Sequence, residues 1–308
     1  MTTRSSSAPL AARSGTFAVR WRALAEALRP GQWVKNGFVS APLIFARELT
    51  HPHSVLRVAI AAADFCALAS AAYLINDVFD ADEDRHHPAK RLRPLASGRL
   101  SAGSAIGMAV ALDSVALAVA WRVDPSLFLV AAIYVGLNLL YSGWLKRVML
   151  VDVFLIAAGF LLRVVAGGVV IHVEISSWLI VCTTLLALFL ALSKRRHELV
   201  LLGGNASAQR SSLAHYSPYF LDQLIVIVTS ATVLSYALYT LSPDVSARFP
   251  GKRLELTVPF VLFGIFRYLF LMHRQEQGDD PARTLFTDRV LLVVVLLWVL
   301  SVVVIIYL

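Results

Sequence analysis

The residues with the clearest chemical potential lie between positions 76 and 98. Five carboxylates, Asp77, Asp80, Asp82, Glu83 and Asp84, crowd together in a chain of which only 16% is charged. Four cations follow, Arg85, Lys90, Arg91 and Arg93, with His86 and His87 between them. Asn76, Asp80 and Asp84 recur at i, i+4 and i+8, so a helix would stack them on successive turns, with Asp77 on a neighbouring face. Like charges at that spacing repel unless a cation neutralises them. Oxygen-only donors select Mg²⁺ or Mn²⁺ over zinc, and Mg²⁺ commonly joins carboxylates to substrate phosphates. The expected metal ligands are Asn76, Asp80 and Asp84, with Asp77 assisting in catalysis. Lys90, Arg91 and Arg93 lie in a loop stiffened by Pro88 and Pro94 and suit phosphate oxygens, arginine in a bidentate fork. A solvated helix end with a salt-bridged loop is the plainer alternative, but it leaves the clustering unexplained.

Further polar groups punctuate apolar surroundings. Gln32, Lys35 and Asn36 follow the helix-breaking pair Pro30 and Gly31 at i, i+3 and i+4, on the first turn of an apolar run. They are candidate site residues, Lys35 as a catalytic one; interfacial anchoring by Trp33 and Lys35 is the alternative. Lys194, Arg195, Arg196 and Glu198 form a second charged cluster at the end of another apolar run. Tyr141 and Lys146 close a third, five residues apart, so they need not share a face. Arg163 stands amid Leu161, Leu162, Val164 and Val165. A charge there faces a bundle interior, where it contacts a phosphate or pairs with an intramembrane acid such as Asp64 or Asp113. Arg289 follows Asp288 at the head of the last run and reads either as part of an N-terminal charge pair or as a substrate contact.

The elements that must position these groups are membrane helices. The chain has 308 residues, 58% hydrophobic, and a mean hydropathy of +0.70. Soluble domains carry about 25% charged residues, so this composition specifies an all-α polytopic membrane protein. Nine candidate spans fall at roughly 33–46, 54–79, 102–121, 125–145, 149–171, 177–200, 217–241, 255–273 and 287–308. The first is short. With the N-terminus in the cytoplasm, 20 of the 28 Lys and Arg residues fall on the cytoplasmic side and 6 on the other. That orientation puts every charge-rich loop on the cytoplasmic face of the inner or plasma membrane. The net charge of +8 then reflects topology and anionic lipid, and not nucleic acid. Residues 1–16 are expected to be a disordered tail without a signal peptide. Residues 17–308 form one domain that opens with an amphipathic stretch at 17–29 or the first turns of a longer helix. Cys66 and Cys182 read as small core residues.

The pattern of Asn76, Asp77, Asp80 and Asp84 resembles the first aspartate-rich motif of the UbiA superfamily of intramembrane prenyltransferases, whose members have nine helices. Arg29-Pro30, Gln32-Trp33, Lys35-Asn36, His87-Pro88, Lys90-Arg91, Arg93-Pro94, Ala96 and Gly98 extend the likeness to its decaprenyl-phosphate phosphoribosyltransferase branch. Leu145-Lys146, Leu162-Arg163 with Ala166-Gly167-Gly168, Lys194-Arg195 with Glu198-Leu199, and Asp288-Arg289-Val290 also match. The resemblance implies a Mg²⁺-dependent enzyme that joins 5-phosphoribosyl diphosphate to a polyprenyl phosphate, with inversion at the ribose C1. It also implies that Gln32, Asn36, Lys90, Arg91, Arg93, Tyr141, Lys146, Arg163, Lys194, Arg195, Glu198 and Arg289 contact substrate. One departure matters. Where ordinary members carry a second aspartate-rich motif, this chain has Ser193, Lys194, Arg195, Arg196, His197 and Glu198. A cationic seat suits a phosphate monoester, which weighs against an aromatic prenyltransferase. A transporter of phosphorylated metabolites is a further alternative, with Arg163 and Arg267 lining a path, but no internal repeat supports it. Neither the oligomeric state nor the prenyl chain length is legible.

Overall fold

The structure, a computed structural model, describes residues 22–87, 90–202, 215–274 and 281–308. The tail expected at 1–16 and the start of the 17–29 stretch lie outside the described residues; residues 22–27 are helical. The described residues are mostly helical and contain no strand. The long helices are α2 (Pro52–Phe79), α4 (Ala102–Val123), α5 (Pro125–Gly143), α6 (Val151–Val170), α7 (Ser177–Leu202), α8 (Pro218–Leu241), α10 (Val258–Arg274) and α12 (Arg289–Tyr307). Between them lie the short helices α1 (Ala41–Phe45), α3 (Ala81–Arg85), α9 (Pro243–Arg248) and α11 (Pro281–Thr287).

Among the described residues, eight helices are long and apolar enough to cross a membrane, and they correspond to the second through ninth expected spans. The first expected span, 33–46, differs. It folds as an 11-residue 3-10 segment, Pro30–Ser40, followed by the single turn of α1. Pro30 and Gly31 open the segment and Pro42 falls at its far end, so regular i→i−4 bonding is interrupted on both sides.

Local sequence sets the ends of the other helices. Ser101, Asp124, Ser217 and Asp288 each accept a backbone N–H at the start of α4, α5, α8 and α12, a cap that contributes about 0.5–2 kcal/mol. Proline stands in the first turn of α2, α5 and α8, where its missing N–H costs nothing.

Lipid supplies no hydrophobic drive between helices, so close packing must hold them together. Ala61, Ala69 and Ala71 of α2 are buried, as are Ala105, Ala109, Ala116 and Ala120 of α4, and these two helices pack side by side. Two larger cores flank α6. Phe160 joins Ala187, Phe189, Leu221, Ile225 and Tyr268 on one side. Ala166 and Val170 join Val39, Phe65, Leu68, Leu127 and Tyr134 on the other. α2 and α6 are accordingly the most enclosed helices, with 50% and 56% of their spanning windows buried. They are also the helices that carry Asn76, Asp77 and Arg163.

Candidate active site

The charged residues of the separate loops meet at one end of the bundle. α2 stops at Phe79, and Asp80 forms the joint between α2 and α3 with φ −93 and ψ −1. The spiral continues through that joint, because Asp80 N–H donates to Asn76 O at 2.9 Å and Asp84 N–H to Asp80 O at 2.8 Å. Asn76, Asp80 and Asp84 therefore keep the expected order along successive turns, but Asp84 lies beyond a bend and is buried.

Each carboxylate meets a cation of the chain itself. Lys146 Nζ donates to Asp80 Oδ1 and lies 3.4 Å from Asn76 Oδ1. Asn76 Nδ2 also donates to Asp80 Oδ2 at 2.8 Å. Lys146 reaches them from the 3-10 turn Leu145–Arg147 after α5, and it is buried. Arg93 Nη1 donates to Asp84 Oδ2 at 2.6 Å and lies 3.3 Å from Asp77 Oδ1. Arg29, at the head of the 3-10 segment, donates to the same Asp77 oxygen. The second Asp77 oxygen is buried without a hydrogen-bond partner. Burial raises the Asp84 pKa, opposed by Arg93 and Lys90.

Lys90 links this acidic corner to the end of α7. Burial lowers its pKa; Glu198 and Asp84 oppose that shift, while Arg93 and Lys194 reinforce it. The expected cluster on α7 is itself largely neutralised. Arg195 is almost fully buried, donates to Glu198 Oε2, and holds its Nε 3.3 Å from Asp152 Oδ2 at the start of α6. Tyr216 O–H donates to Asp152 Oδ1 at 3.2 Å and accepts Leu150 N–H at 2.8 Å; its pKa is pushed up to about 12 by burial and the Asp152 charge. Arg196 pairs with Asp222 of α8.

The remaining candidates are placed as follows. Gln32, Lys35 and Tyr141 are half-buried. Arg91 is exposed, and so is Arg289. Asp288 pairs with Arg267 at 2.7 Å, so the charge pair at the head of α12 joins Asp288 to Arg267 and not to Arg289. Arg163 is buried in α6, and its partners are neutral: Asn36 Oδ1 at 2.7 Å, Gly159 O at 2.7 Å and Tyr134 Oη at 2.8 Å. Among the described residues it pairs with no intramembrane acid, and one oxygen of the buried Asp64 has no hydrogen-bond partner. Asn36 is taken up by this contact and by a 3.1 Å donation to Cys66 Sγ. Both cysteines are free and half-buried.

The acidic corner offers an all-oxygen donor set. Among the described residues, no group of three or more His, Cys, Asp or Glu side chains converges on one point. Mg²⁺ does not need one, because it retains waters and uses one or two carboxylates beside substrate phosphates. Asn76 and Asp80 already converge on one cation, the Lys146 ammonium, so the residues present fit such an ion. Sequence reasoning missed Arg29, Asp152 and Tyr216 as parts of this charged end. Asp152 had a signal, an acid in the first turn of an apolar run; Tyr216 had none.

The UbiA prenyltransferase family matches residues 38–290. The chain is 37% identical over 289 residues to a decaprenyl-phosphate phosphoribosyltransferase of Corynebacterium glutamicum, covering 92% of this chain and 86% of that protein. It is 33% identical over 282 residues to the protein of that name from Mycobacterium tuberculosis, covering 90% and 92%. Its fold is similar to that of a UbiA homolog from Archaeoglobus fulgidus solved with GPP and Mg²⁺, with a TM-score of 0.70 at 18% identity over 93% of this chain and 100% of that one. A sequence match over most of the chain, a shared fold and an Asp-rich corner at one end of the bundle agree: the chain belongs to the UbiA prenyltransferase family.

Proposed function

We propose that the protein transfers the 5-phosphoribosyl group of 5-phosphoribosyl diphosphate to a polyprenyl phosphate, releasing diphosphate, at the cytoplasmic face of the membrane. The relatives named for this reaction support the reading. The observation that carries it is the state of the α7 end. Glu198 and Asp152 are engaged by Arg195, and Asp222 by Arg196. Arg195 and Arg196 thus balance the charge of these carboxylates, and Lys194 beside them, with Lys90 nearby, supplies positive charge. Such a site seats a phosphate monoester, which is what the donor carries at its 5-position.

Asn76 and Asp80, with Asp84 and the unpartnered Asp77 oxygen nearby, would hold Mg²⁺ or Mn²⁺. A bound divalent ion neutralises charge on the leaving diphosphate. The chain's own cations do the rest. Lys146 and Arg93 are held on carboxylates at the acidic corner and are placed to turn to phosphate oxygens when a donor enters. Lys90 stands between that corner and Lys194, so one donor with anionic groups at both ends spans the two. In the transfer, the acceptor phosphate oxygen forms a bond to C1 of the ribose as the bond from C1 to the diphosphate oxygen breaks. The acceptor is already ionised, so no strong general base is needed. The protein's task is to hold two anions together in a line that permits displacement.

A second reading, transfer of an isoprenyl chain from its diphosphate to an aromatic acceptor, is favoured by the fold relatives solved with GPP and DMAPP. The two readings separate in a donor comparison with purified protein. The first expects consumption of 5-phosphoribosyl diphosphate only when polyprenyl phosphate is present. Consumption of an isoprenyl diphosphate with an aromatic acid, and none of the ribosyl donor, would replace it by the second.

A further inference from the structure

Arg163 is a buried cation whose hydrogen-bond partners are an amide, a backbone carbonyl and a phenol, none of them acidic. Its guanidinium also stacks near the rings of Tyr134 at 4.9 Å and Phe160 at 5.6 Å. A charge held deep in a membrane bundle without a counter-ion is expensive. The expense has an evident object. Its Nε–H goes to Asn36, in the middle of the 3-10 segment Pro30–Ser40.

That segment needs fixing from outside. 3-10 runs beyond three or four residues are uncommon because their hydrogen bonds are poorly aligned, and this one has 11. It begins at Arg29 in the left-handed region, φ 52, a strained position for a residue with a side chain. α6 grips it twice. Arg163 holds Asn36, and one turn further on Gly167 lies so close that a Cβ there would fall on the Val39 carbonyl oxygen and 2.9 Å from its carbon. α2 contributes Ser70, which accepts from Trp33 Nε1 at 3.0 Å and donates to Leu28 O at 2.9 Å. The same segment carries Gln32 and Lys35, and Arg29 at its head reaches Asp77 of the acidic corner.

We propose that Arg163 is a positioning residue that touches no substrate: through Asn36, with Gly167 allowing the close approach, it fixes the 3-10 segment that presents Arg29, Gln32 and Lys35 to the donor. This rests on the reading that the donor binds at the acidic corner. A conserved-volume substitution at position 163 therefore acts at a distance, through the order of residues 30–40.

Hydrogen–deuterium exchange of the purified substrate-free protein tests it directly. R163M should raise exchange across residues 30–40 while leaving α8 and α12 unchanged. It should also raise the KM for the donor about tenfold or more, with a smaller fall in kcat, as expected when binding groups are misplaced. R163K, which keeps a donor toward Asn36, should recover part of both effects. The double variant R163M/N36A should be no worse than either single one, because the two side chains act as one contact. Where R163M does not accumulate as folded protein, N36A decides, because it releases the segment while leaving Arg163 in place. Unchanged exchange over residues 30–40 in the folded variant, or additive losses in the double one, would overturn the proposal. If the wild type forms no ribosylated lipid, the functional reading fails while the exchange result still judges the positioning role.

Discussion

Replacing Lys146 by methionine should move metal binding and turnover in opposite directions. Lys146 is nearly buried and shares Asp80 and Asn76 with the expected metal, so in the substrate-free protein it competes for their oxygens. Two unit charges at about 4 Å attract by roughly 4 kcal/mol at an effective dielectric of 20. The Asp80 side chain is 21% exposed, so desolvation and solvent screening offset most of that, leaving about 1–2 kcal/mol net. A metal ion must displace that interaction. Removing it should tighten Mn²⁺ binding by about tenfold, since about 1.4 kcal/mol is a factor of ten. The same change removes a donor aimed at the developing diphosphate charge, and turnover should fall by about 10²–10³. The assay is Mn²⁺ titration of the detergent-purified protein without donor, followed by electron paramagnetic resonance, with turnover measured in parallel. Unchanged or weaker Mn²⁺ binding in K146M would refute the competition between the ammonium and the metal, whatever happened to turnover.

Asp80→Ala and Asp84→Ala should each abolish turnover while the protein still elutes as a folded species; retained activity in both would remove the acidic corner as the metal site. Asp152→Asn should lower stability by about 3 kcal/mol, because it strips one carboxylate from the buried Arg195, and an unshifted thermal midpoint in detergent would contradict that. The Asp288 pKa lies below the ordinary aspartate value, held there by its hydrogen bond from Arg267. Its stabilising contribution is therefore full above the unfolded aspartate pKa and is lost as pH falls through the lower folded value. Asp288→Asn should flatten that acid limb in a pH series of thermal midpoints, and an unaltered limb would exclude the pair as its cause. Chelation by EDTA should stop turnover, and added Mg²⁺ or Mn²⁺ should restore it; full activity after chelation would end the case for a metal.

Much of the architecture was legible because membrane helices are governed by local rules. Runs of apolar residues about 20 long, bounded by Ser101, Asp124, Ser217 or Asp288 and by Pro52, Pro125 or Pro218, become helices with those caps. The acidic corner was legible because its residues are neighbours in the chain. Contacts between distant residues were not. Lys146 lies 66 positions from Asp80, and Arg163 lies 127 from Asn36. The cost of a charge in lipid says that Arg163 faces inward, but not that it meets an amide there in place of Asp64 or Asp113. The 3-10 form of residues 30–40 was hidden for a related reason. The segment packs against Gly167 of a different helix, which leaves room for the Val39 carbonyl. Lys194, Arg195 and Arg196 look alike as a run of cations, yet Arg195 pairs with Asp152 and Glu198 and Arg196 with Asp222, acids that the chain supplies from three helices.

The central claim is that one donor spans the acidic corner and the Lys194 end of α7 and leaves its ribosyl phosphate on a lipid. The direct measurement uses 5-phosphoribosyl diphosphate carrying ³²P either in the 5-phosphate or in the diphosphate, incubated with the purified protein, Mg²⁺ and polyprenyl phosphate. The 5-phosphate label should pass into the organic-extractable lipid, and the diphosphate label should stay in water as free diphosphate. Diphosphate label in the lipid, or no labelled lipid beside an active isoprenyl transfer, would contradict the claim.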